Sequence, residues 1–221
     1  MTYRLFIMDR AYSSWSLRGH LLLDAFDLPF AVTHAEWPSP EFDALKAEIA
    51  PGRTVPALKI GDDLVWDSLA IAEYCAEQAP DAGLWPADAA ARAVARSVSA
   101  EMHAGFQALR GAWPMNLKRK GPALAPDPAV AADIARISAI WADCRARFGA
   151  DRPGGGPFLF GDWCAADAMY APVVSRFVSY VAPLDPQATA YCAAVMNHPL
   201  MREWSEHAAS ETWTISDIDA L

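Results

Sequence analysis

Short apolar runs alternate with helical patterns only in the first 80 or so residues of this 221-residue chain. They follow the order β-α-β-α-β-β-α, beginning with a buried strand, YRLFIMD, and a helix over residues 16–26. A Gly-Asp turn at Gly61 separates the last two strands and predicts an antiparallel hairpin. From residue 88 onwards only helical patterns recur. The order therefore predicts a small α/β domain followed by an all-helical domain.

The turn-rich segment GLWPAD places the boundary between the two predicted domains. We expect an N-terminal domain over residues 1–81, a linker over 82–87 and a helical domain over 88–221. In the second domain, the apolar periodicity predicts helices near 87–111, 127–148, 164–180, 187–197 and 199–208.

Charge and hydropathy exclude two classes of partner. A net charge of −9 argues against nucleic acid, because nucleic-acid binding depends on clustered Lys and Arg. The one dense basic run, LKRK at 117–120, is interpreted as a solvated loop. No basic leader precedes a long apolar stretch, and no window of about 18 residues is apolar and uncharged, so we expect neither a signal peptide nor a membrane span.

The cysteines and histidines are scattered and form no recognisable ligand spacing. There is no C-x-x-C pair and no H-x-x-x-H pair, so the sequence does not predict a metal site. We expect the cysteines to be free, buried thiols in a protein of the reducing cytoplasm. They are Cys75, Cys144, Cys164 and Cys192.

Hydroxyl groups are concentrated at the first predicted strand-to-helix junction, in the segment AYSSWSLRGH. Tyr12, Ser13, Ser14 and Ser16 lie there around Trp15, which we expect to pack rather than to react. Either the serines cap the helix, or one hydroxyl holds a ligand. These residues alone leave both interpretations open.

Two further segments carry groups that suit a peptide ligand. Pro56 opens the third strand, and although X-Pro bonds are usually trans, a cis bond there would free the backbone of Val55 to pair with an extended peptide. Asp67 and Ser68 begin the next helix. They either cap it, or they bind the carboxylate and ammonium of an α-amino-acid end at the helix N-terminus.

In order and spacing, these segments resemble the glutathione transferase family. The matching stretches are YSSWSLR, TVPAL, DSLAIAEY and the later helical segment FLFGDWCAADAMYAPV, and the serine element is similar to the zeta-like, serine-type bacterial branch. The resemblance implies a thioredoxin-like α/β N-terminal domain, an all-α C-terminal domain, glutathione as co-substrate without a metal, and a homodimer.

The resemblance also assigns roles in glutathione binding. Val55 would pair its backbone with the cysteinyl residue of glutathione, and Pro56 would be cis. Asp67 and Ser68 would hold the γ-glutamyl end. Arg53, which lies just before Val55 and Pro56, would meet the glycyl carboxylate.

A hydroxyl of the serine loop would then stabilise the glutathione thiolate. Ser13 is the first candidate and Ser14 the second, and Tyr12 remains a candidate because other branches of the family use a tyrosine there. The alternative for Ser14 and Ser16 is that one of them is only the helix N-cap, which is compatible with Ser13 as the donor. No cysteine lies in this loop, which argues against glutaredoxin-like or omega-like disulfide chemistry.

The electrophile is expected to bind between the domains, against the segment SAEMHAGFQALRGAWPMN. His103 and Arg110 fall on one face of a single predicted helix, and Phe106 and Trp113 would line an apolar pocket beside them. The alternative is that the apolar stripe belongs to the core. Arg110 would suit an acidic electrophile.

One position departs from the family pattern. The family usually has Ser or Thr at the N-cap of its sixth helix, where this chain has Cys164. A thiol is a poor acceptor, and losing a good cap costs about 1 kcal/mol. We expect Asp167 to reach back to the backbone N–H groups and to keep this helix intact.

The resemblance implies a glutathione S-transferase with a role in detoxification. A second possibility is a glutathione-dependent cis–trans isomerase of a dicarboxylic acid, similar to maleylacetoacetate isomerase. A third is a non-catalytic binding module with the same fold, in which the serine loop is inert.

Overall fold

The computed structural model describes residues 3–149 and 155–221, and its first part is a four-stranded mixed sheet with three helices. The sheet has the order β2-β1-β3-β4, with β1 parallel to β2 and antiparallel to β3, and β3 antiparallel to β4. The elements are β1 Tyr3–Met8, α1 Ser14–Asp24, β2 Phe30–Ala35, α2 Pro40–Glu48, β3 Ala57–Ile60, β4 Asp63–Val65 and α3 Ser68–Gln78. Their order is the one that the sequence predicts.

The second part is helical, and a 3₁₀ turn at Pro80–Ala82 leads into it. The helices are α4 Ala89–Ala104, α5 Gln107–Ala112, α6 Pro128–Phe148, α7 Ala165–Ser179, α8 Pro186–Met196, α9 Pro199–Ser210 and α10 Ser216–Asp219. The predictions for α6 to α9 are confirmed to within two residues. The short α10 was not predicted, and the helix predicted over 87–111 is two helices.

Alternation along β1 separates the two layers of core. Leu5 and Ile7 belong to the main apolar cluster, which includes α1, α3 and the helical domain. Phe6 points to the opposite face, where it packs in a smaller cluster with Leu45 and Ile49 of the α2 region. Because successive side chains of a strand point to opposite faces, one six-residue strand serves both layers.

Helix α7 lies at the centre of the helical domain and depends on a buried capping carboxylate. Asp167 accepts hydrogen bonds from the backbone N–H of Cys164 at 3.0 Å and of Leu159 at 3.2 Å, and from the hydroxyl of Tyr191 at 2.9 Å. Burial raises the pKa of this carboxyl to about 6. The expectation that Asp167 secures the helix despite Cys164 at the N-cap is confirmed.

All four cysteines are buried and free, as the sequence predicts. Among residues 3–149 and 155–221, no helix combines the length and apolar character that a membrane span needs. Within the same residues, no cluster of three or more His, Cys, Asp or Glu could hold a metal ion.

Replacing Asp167 by Ala should destabilise the protein far more than removing an ordinary helix cap. Three buried donors would lose their acceptor, and each unpaired buried donor costs roughly 1–3 kcal/mol. The matched control is Asp185→Ala, which removes a single cap bond to the N–H of Ala188 and should cost about 1 kcal/mol. Urea unfolding of both variants measures the difference, and equal losses would contradict the central role given to Asp167.

Candidate functional site

The loop between β1 and α1 is fastened by two of its own serines. Ser13 is the N-cap of α1, where its Oγ accepts the N–H of Ser16 at 3.2 Å and donates to the Oγ of Ser16 at 2.8 Å. The Oγ of Ser16 in turn accepts the N–H of Met8, at the end of β1, at 3.0 Å. The N-cap is therefore Ser13, the first candidate for thiol donation, and neither Ser14 nor Ser16.

Ser14 has the free hydroxyl of this loop. It is the first residue of α1 and is 8% exposed, and its Oγ makes no hydrogen bond within the described part of the chain. A helix N-terminus carries a partial positive charge, which favours a negative ligand atom beside it. Of the three hydroxyls considered, the one of Ser14 is the best placed to donate to a ligand.

The hydroxyl of Tyr12 faces the end of the chain instead. It donates to both carboxylate oxygens of Asp219 at 3.0 Å. Burial and Asp219 raise the pKa of Tyr12 to about 12. Its ring packs with Ala208 and with Ile215, so the geometry does not support Tyr12 as the thiol donor.

The Val55–Pro56 peptide bond is cis. Val55 is nearly buried, yet its backbone N–H and C=O have no partner in the described residues. Helix α1 reaches Pro56 at Gly19, where an added Cβ would lie only 2.4 Å from the Cβ of Pro56. The sequence analysis did not single out Gly19, although a glycine within an apolar helix is a sign of close approach.

The start of α3 combines a cap with an unpaired hydroxyl. Asp67 is the N-cap, and its Oδ1 accepts the N–H of Leu69 at 3.0 Å, as the capping interpretation predicts. Its Oδ2 lies 3.1 Å from Nε2 of His103, on α4 of the other domain. Ser68 is fully buried and its Oγ has no partner among the described residues. A buried hydroxyl without a partner suits a site where a ligand completes the bonding.

The ring of Trp15 on α1 lies against His103 and Arg110 of the helical domain and against Arg18 of its own helix. Its ring centroid is 5.0 Å from that of His103, in an edge-to-face arrangement. The guanidinium groups of Arg18 and Arg110 lie 4.4 and 5.0 Å from the Trp15 ring, within cation–π distance. His103 and Arg110 thus meet around Trp15 beside the serine loop, and their role in binding an electrophile stays a prediction.

Arg18, Arg110 and Arg176 form a cationic cluster that has no carboxylate partner among the described residues. Arg18 is fully buried; its Nε donates to the carbonyl of Met169 at 2.9 Å, while Nη1 and Nη2 have no partner there. Burial, followed by Arg176 and Arg110, holds its pKa well below the usual range. Burial and Arg110 lower the pKa of Arg176 to about 10.

Two predicted pocket residues lie in the core instead. Phe106 is 7% exposed, and Trp113, 1% exposed, stacks on Tyr180 at 5.2 Å. The prediction assumed one continuous helix, but the chain breaks at Gly105, and Phe106 has a φ of 58°. Arg110 donates to the carbonyls of His103 and Gly105 across this break, at 3.3 Å each.

Arg53 lies on the exposed loop that precedes Val55. No hydrogen bond or ion pair joins its side chain to another described residue, so its role in glutathione binding stays a prediction. Sequence reasoning missed Arg18 and Arg176 as members of the site. A charged residue within an otherwise apolar helix, as in SWSLRGHLLLD and VVSRFV, was the available sign.

The mixed four-stranded sheet followed by a helical domain defines the glutathione transferase fold. The model of the glutathione S-transferase N-terminal domain matches residues 12–78. A probable maleylacetoacetate isomerase from Caenorhabditis elegans is 32% identical over 111 residues, and this match spans 50% of the chain and 51% of the worm protein. The chain thus matches about half the length of that curated relative.

Solved structures with the same fold extend the comparison to almost the whole chain. A maleyl pyruvate isomerase, described as a bacterial glutathione S-transferase of the zeta class, is 26% identical, covers 96% of this chain and 100% of its own, and has a TM-score of 0.66. A glutathione transferase homolog from Burkholderia with bound glutathione shares the fold at 21% identity, with 95% and 99% coverage and a TM-score of 0.67. The chain therefore has the glutathione transferase fold, and residues 12–78 match the N-terminal domain of that family in sequence.

Replacing Gly19 by Ala should move α1 away from Pro56 or strain both. Overpacking of this kind costs about 1–3 kcal/mol. Gly111→Ala is the control, because it lies in helix α5 and an added Cβ there meets nothing within 4 Å, so it should be neutral or stabilising by up to about 1 kcal/mol. Thermal and urea unfolding measure both, and a neutral Gly19→Ala variant would contradict the close approach.

Proposed function

We propose that the protein is a glutathione transferase that stabilises the glutathione thiolate with the hydroxyl of Ser14. The observation that carries the proposal is the set of unengaged polar groups in the N-terminal domain: the hydroxyls of Ser14 and Ser68 and the backbone of Val55. A tripeptide thiol offers a partner to each of them. The match of residues 12–78 to the glutathione S-transferase N-terminal domain supports the same ligand.

Glutathione would bind across α1, β3 and α3. The N–H and C=O of Val55 would pair with the cysteinyl residue. The hydroxyl of Ser68 and the N-terminus of α3 would hold the γ-glutamyl carboxylate, where the helix dipole favours negative charge. Asp67 would accept the ammonium, and Arg53 would meet the glycyl carboxylate.

The interactions suffice in magnitude to activate the thiol. A free thiol has a pKa of about 8.5, and lowering it by about 1.5–2 units requires roughly 2–3 kcal/mol. A hydroxyl that donates to a charged acceptor supplies about 1.5–3 kcal/mol. The N-terminus of α1 adds about 0.3–1 kcal/mol. Ser13 would keep its capping role, since its hydroxyl is bonded to Ser16.

A second candidate activity is the glutathione-dependent cis–trans isomerisation of a dicarboxylic acid. In this reaction the thiolate adds to a carbon–carbon double bond, the resulting single bond rotates, and the thiolate leaves as the double bond re-forms. The observation in its favour is the arginine cluster, which has unpaired N–H donors and no carboxylate partner among the described residues. The relatives named as isomerases above make the same reaction a reasonable hypothesis here.

The proposal also includes a cytoplasmic homodimer with a role in detoxification. Four free, buried thiols are compatible with a reducing compartment. Analytical ultracentrifugation would give the oligomeric state. A monomer at micromolar concentration would contradict this part of the proposal.

Removing the hydroxyl of Ser14 should raise the pKa of the bound glutathione thiol towards its free value. Ser14→Ala should shift it by about 1 unit or more and lower the turnover with a chlorodinitrobenzene-type electrophile by about tenfold or more, because one charge-assisted hydrogen bond is lost. Thiolate absorbance in the complex, followed against pH, measures the shift.

Ser13→Ala and Tyr12→Phe are the comparison variants for this measurement. Ser13→Ala should destabilise the start of α1 and change the thiol pKa less than Ser14→Ala does, and Tyr12→Phe, which removes only the bond to Asp219, should also change it less than Ser14→Ala does. A larger shift in Ser13→Ala than in Ser14→Ala would move the assignment to Ser13. If wild-type protein neither binds immobilised glutathione nor lowers its thiol pKa, the binding-module alternative is correct.

The arginine cluster should matter for anionic electrophiles and not for neutral ones. Arg110→Met should lower kcat/KM for an unsaturated dicarboxylate by about tenfold or more, because a hydrogen bond to a charged group contributes about 1.5–3 kcal/mol. The rate with a neutral chlorodinitrobenzene-type electrophile should change much less. Parallel assays with the two substrates measure this ratio, and equal losses would argue against an anion site.

A further inference from the structure

The end of the chain returns to the serine loop and bonds to its backbone. We call residues 211–219 the C-terminal strap. Glu211, at the end of α9, accepts the N–H of Arg10 with Oε1 at 2.9 Å and the N–H of Ala11 with Oε2 at 3.1 Å. One carboxylate therefore holds two successive peptide groups, three or four residues before Ser14.

The surroundings of Glu211 keep this carboxylate ionised. Its side chain is only 4% exposed, and burial by itself raises its pKa. His34, whose Nε2 lies 3.3 Å away, and the N–H groups of Arg10 and Ala11 outweigh the burial, so the net pKa is lowered. The negative charge that clamps the loop is thus present at neutral pH.

Two more strap residues bond to the same loop. Trp213 donates its Nε1–H to Oδ1 of Asp9 at 2.7 Å, and the carbonyl of Asp9 accepts the N–H of Ser13 at 2.8 Å. Asp219 accepts the hydroxyl of Tyr12, as described above. Every residue from Asp9 to Tyr12 is therefore hydrogen-bonded to the strap, directly before the serines.

The strap itself is held by the basic run that sequence reasoning interpreted as a solvated loop. That interpretation is wrong for two of its residues. Lys118 donates its Nζ to the carbonyls of Glu211 and Trp213, at 3.3 and 2.6 Å. Arg119 donates to the carbonyl of Leu221, just beyond the strap, at 3.0 Å. Lys118 thus fixes the strap directly, and Arg119 holds the residue that lies two positions beyond it.

We propose that Glu211 is a positioning residue for thiol activation. It touches neither glutathione nor the electrophile; it sets where the Ser14 hydroxyl points, by fixing the backbone of Arg10 and Ala11. Catalytic groups need this support, because a misplacement of 1 Å can cost about 10²-fold in rate. The inference rests on the proposed function, since it needs a thiolate for Ser14 to stabilise.

The test compares Glu211→Gln with Glu206→Gln, which removes the same charge from an exposed position on α9. A glutamine keeps one acceptor and turns an NH₂ group towards the other N–H, so one half of the clamp is lost. Glu211→Gln should raise the pKa of the bound thiol by about half a unit or more and lower kcat by about tenfold. KM for glutathione should change little, and Glu206→Gln should match wild type in all three.

A second variant keeps the test decisive if Glu211→Gln folds poorly. Trp213→Phe removes the bond to Asp9 and retains a ring beside His34, so it should shift the thiol pKa in the same direction by a smaller amount. A folded Glu211→Gln or Trp213→Phe variant with a lower Tm and a wild-type thiol pKa would overturn the inference, because the strap would then be structural only. If wild-type protein itself leaves the thiol pKa at its free value, the proposed function has failed, which is a different result.

Discussion

The position of helix α1 controls both the fold and the candidate site. Gly19 allows α1 to approach Pro56, and Arg18 on the same helix donates to a carbonyl of α7. One helix is thus pressed against the sheet of the first domain and bonded to the central helix of the second. Ser14 is the first residue of α1. Contacts of α1 with both domains therefore position its free hydroxyl.

Local patterns were sufficient to predict most of the fold. The apolar run of β1, the Gly-Asp turn and the apolar periodicity of α6 to α9 each depend on nearby residues. The prediction of one helix over 87–111 was wrong because it followed apolar spacing through Gly105. A Cβ at Gly105 would lie 2.7 Å from the carbonyl of Glu101, and the next residue has positive φ. Periodicity alone does not detect such a break.

The candidate site was predicted less completely, because its geometry depends on contacts between distant segments. The pairs Val55–Pro56 and Asp67–Ser68 could be found from short motifs. The choice between Ser13 and Ser14 is a local one, since it depends on the bond from Ser13 to Ser16, but the motif alone does not show which hydroxyl makes that bond. Trp113 is buried against Tyr180, which lies in a distant helical segment. The carboxylate that bonds to the backbone of Ala11 belongs to Glu211, two hundred residues away.

The buried arginines are the strongest sign of an anionic ligand. A buried charge without a partner is costly, and buried charges are normally paired. The carbonyl bonds to Arg18 and Arg176 offset only part of this cost, since two nitrogens of Arg18 have no partner in the described residues. If these arginines served stability alone, well-packed apolar residues of similar volume would often stabilise the fold as well or better. A carboxylate bound beside the ring of Trp15 would lower the electrostatic cost of this charge, because the guanidinium groups of Arg18 and Arg110 lie 4.4 and 5.0 Å from that ring.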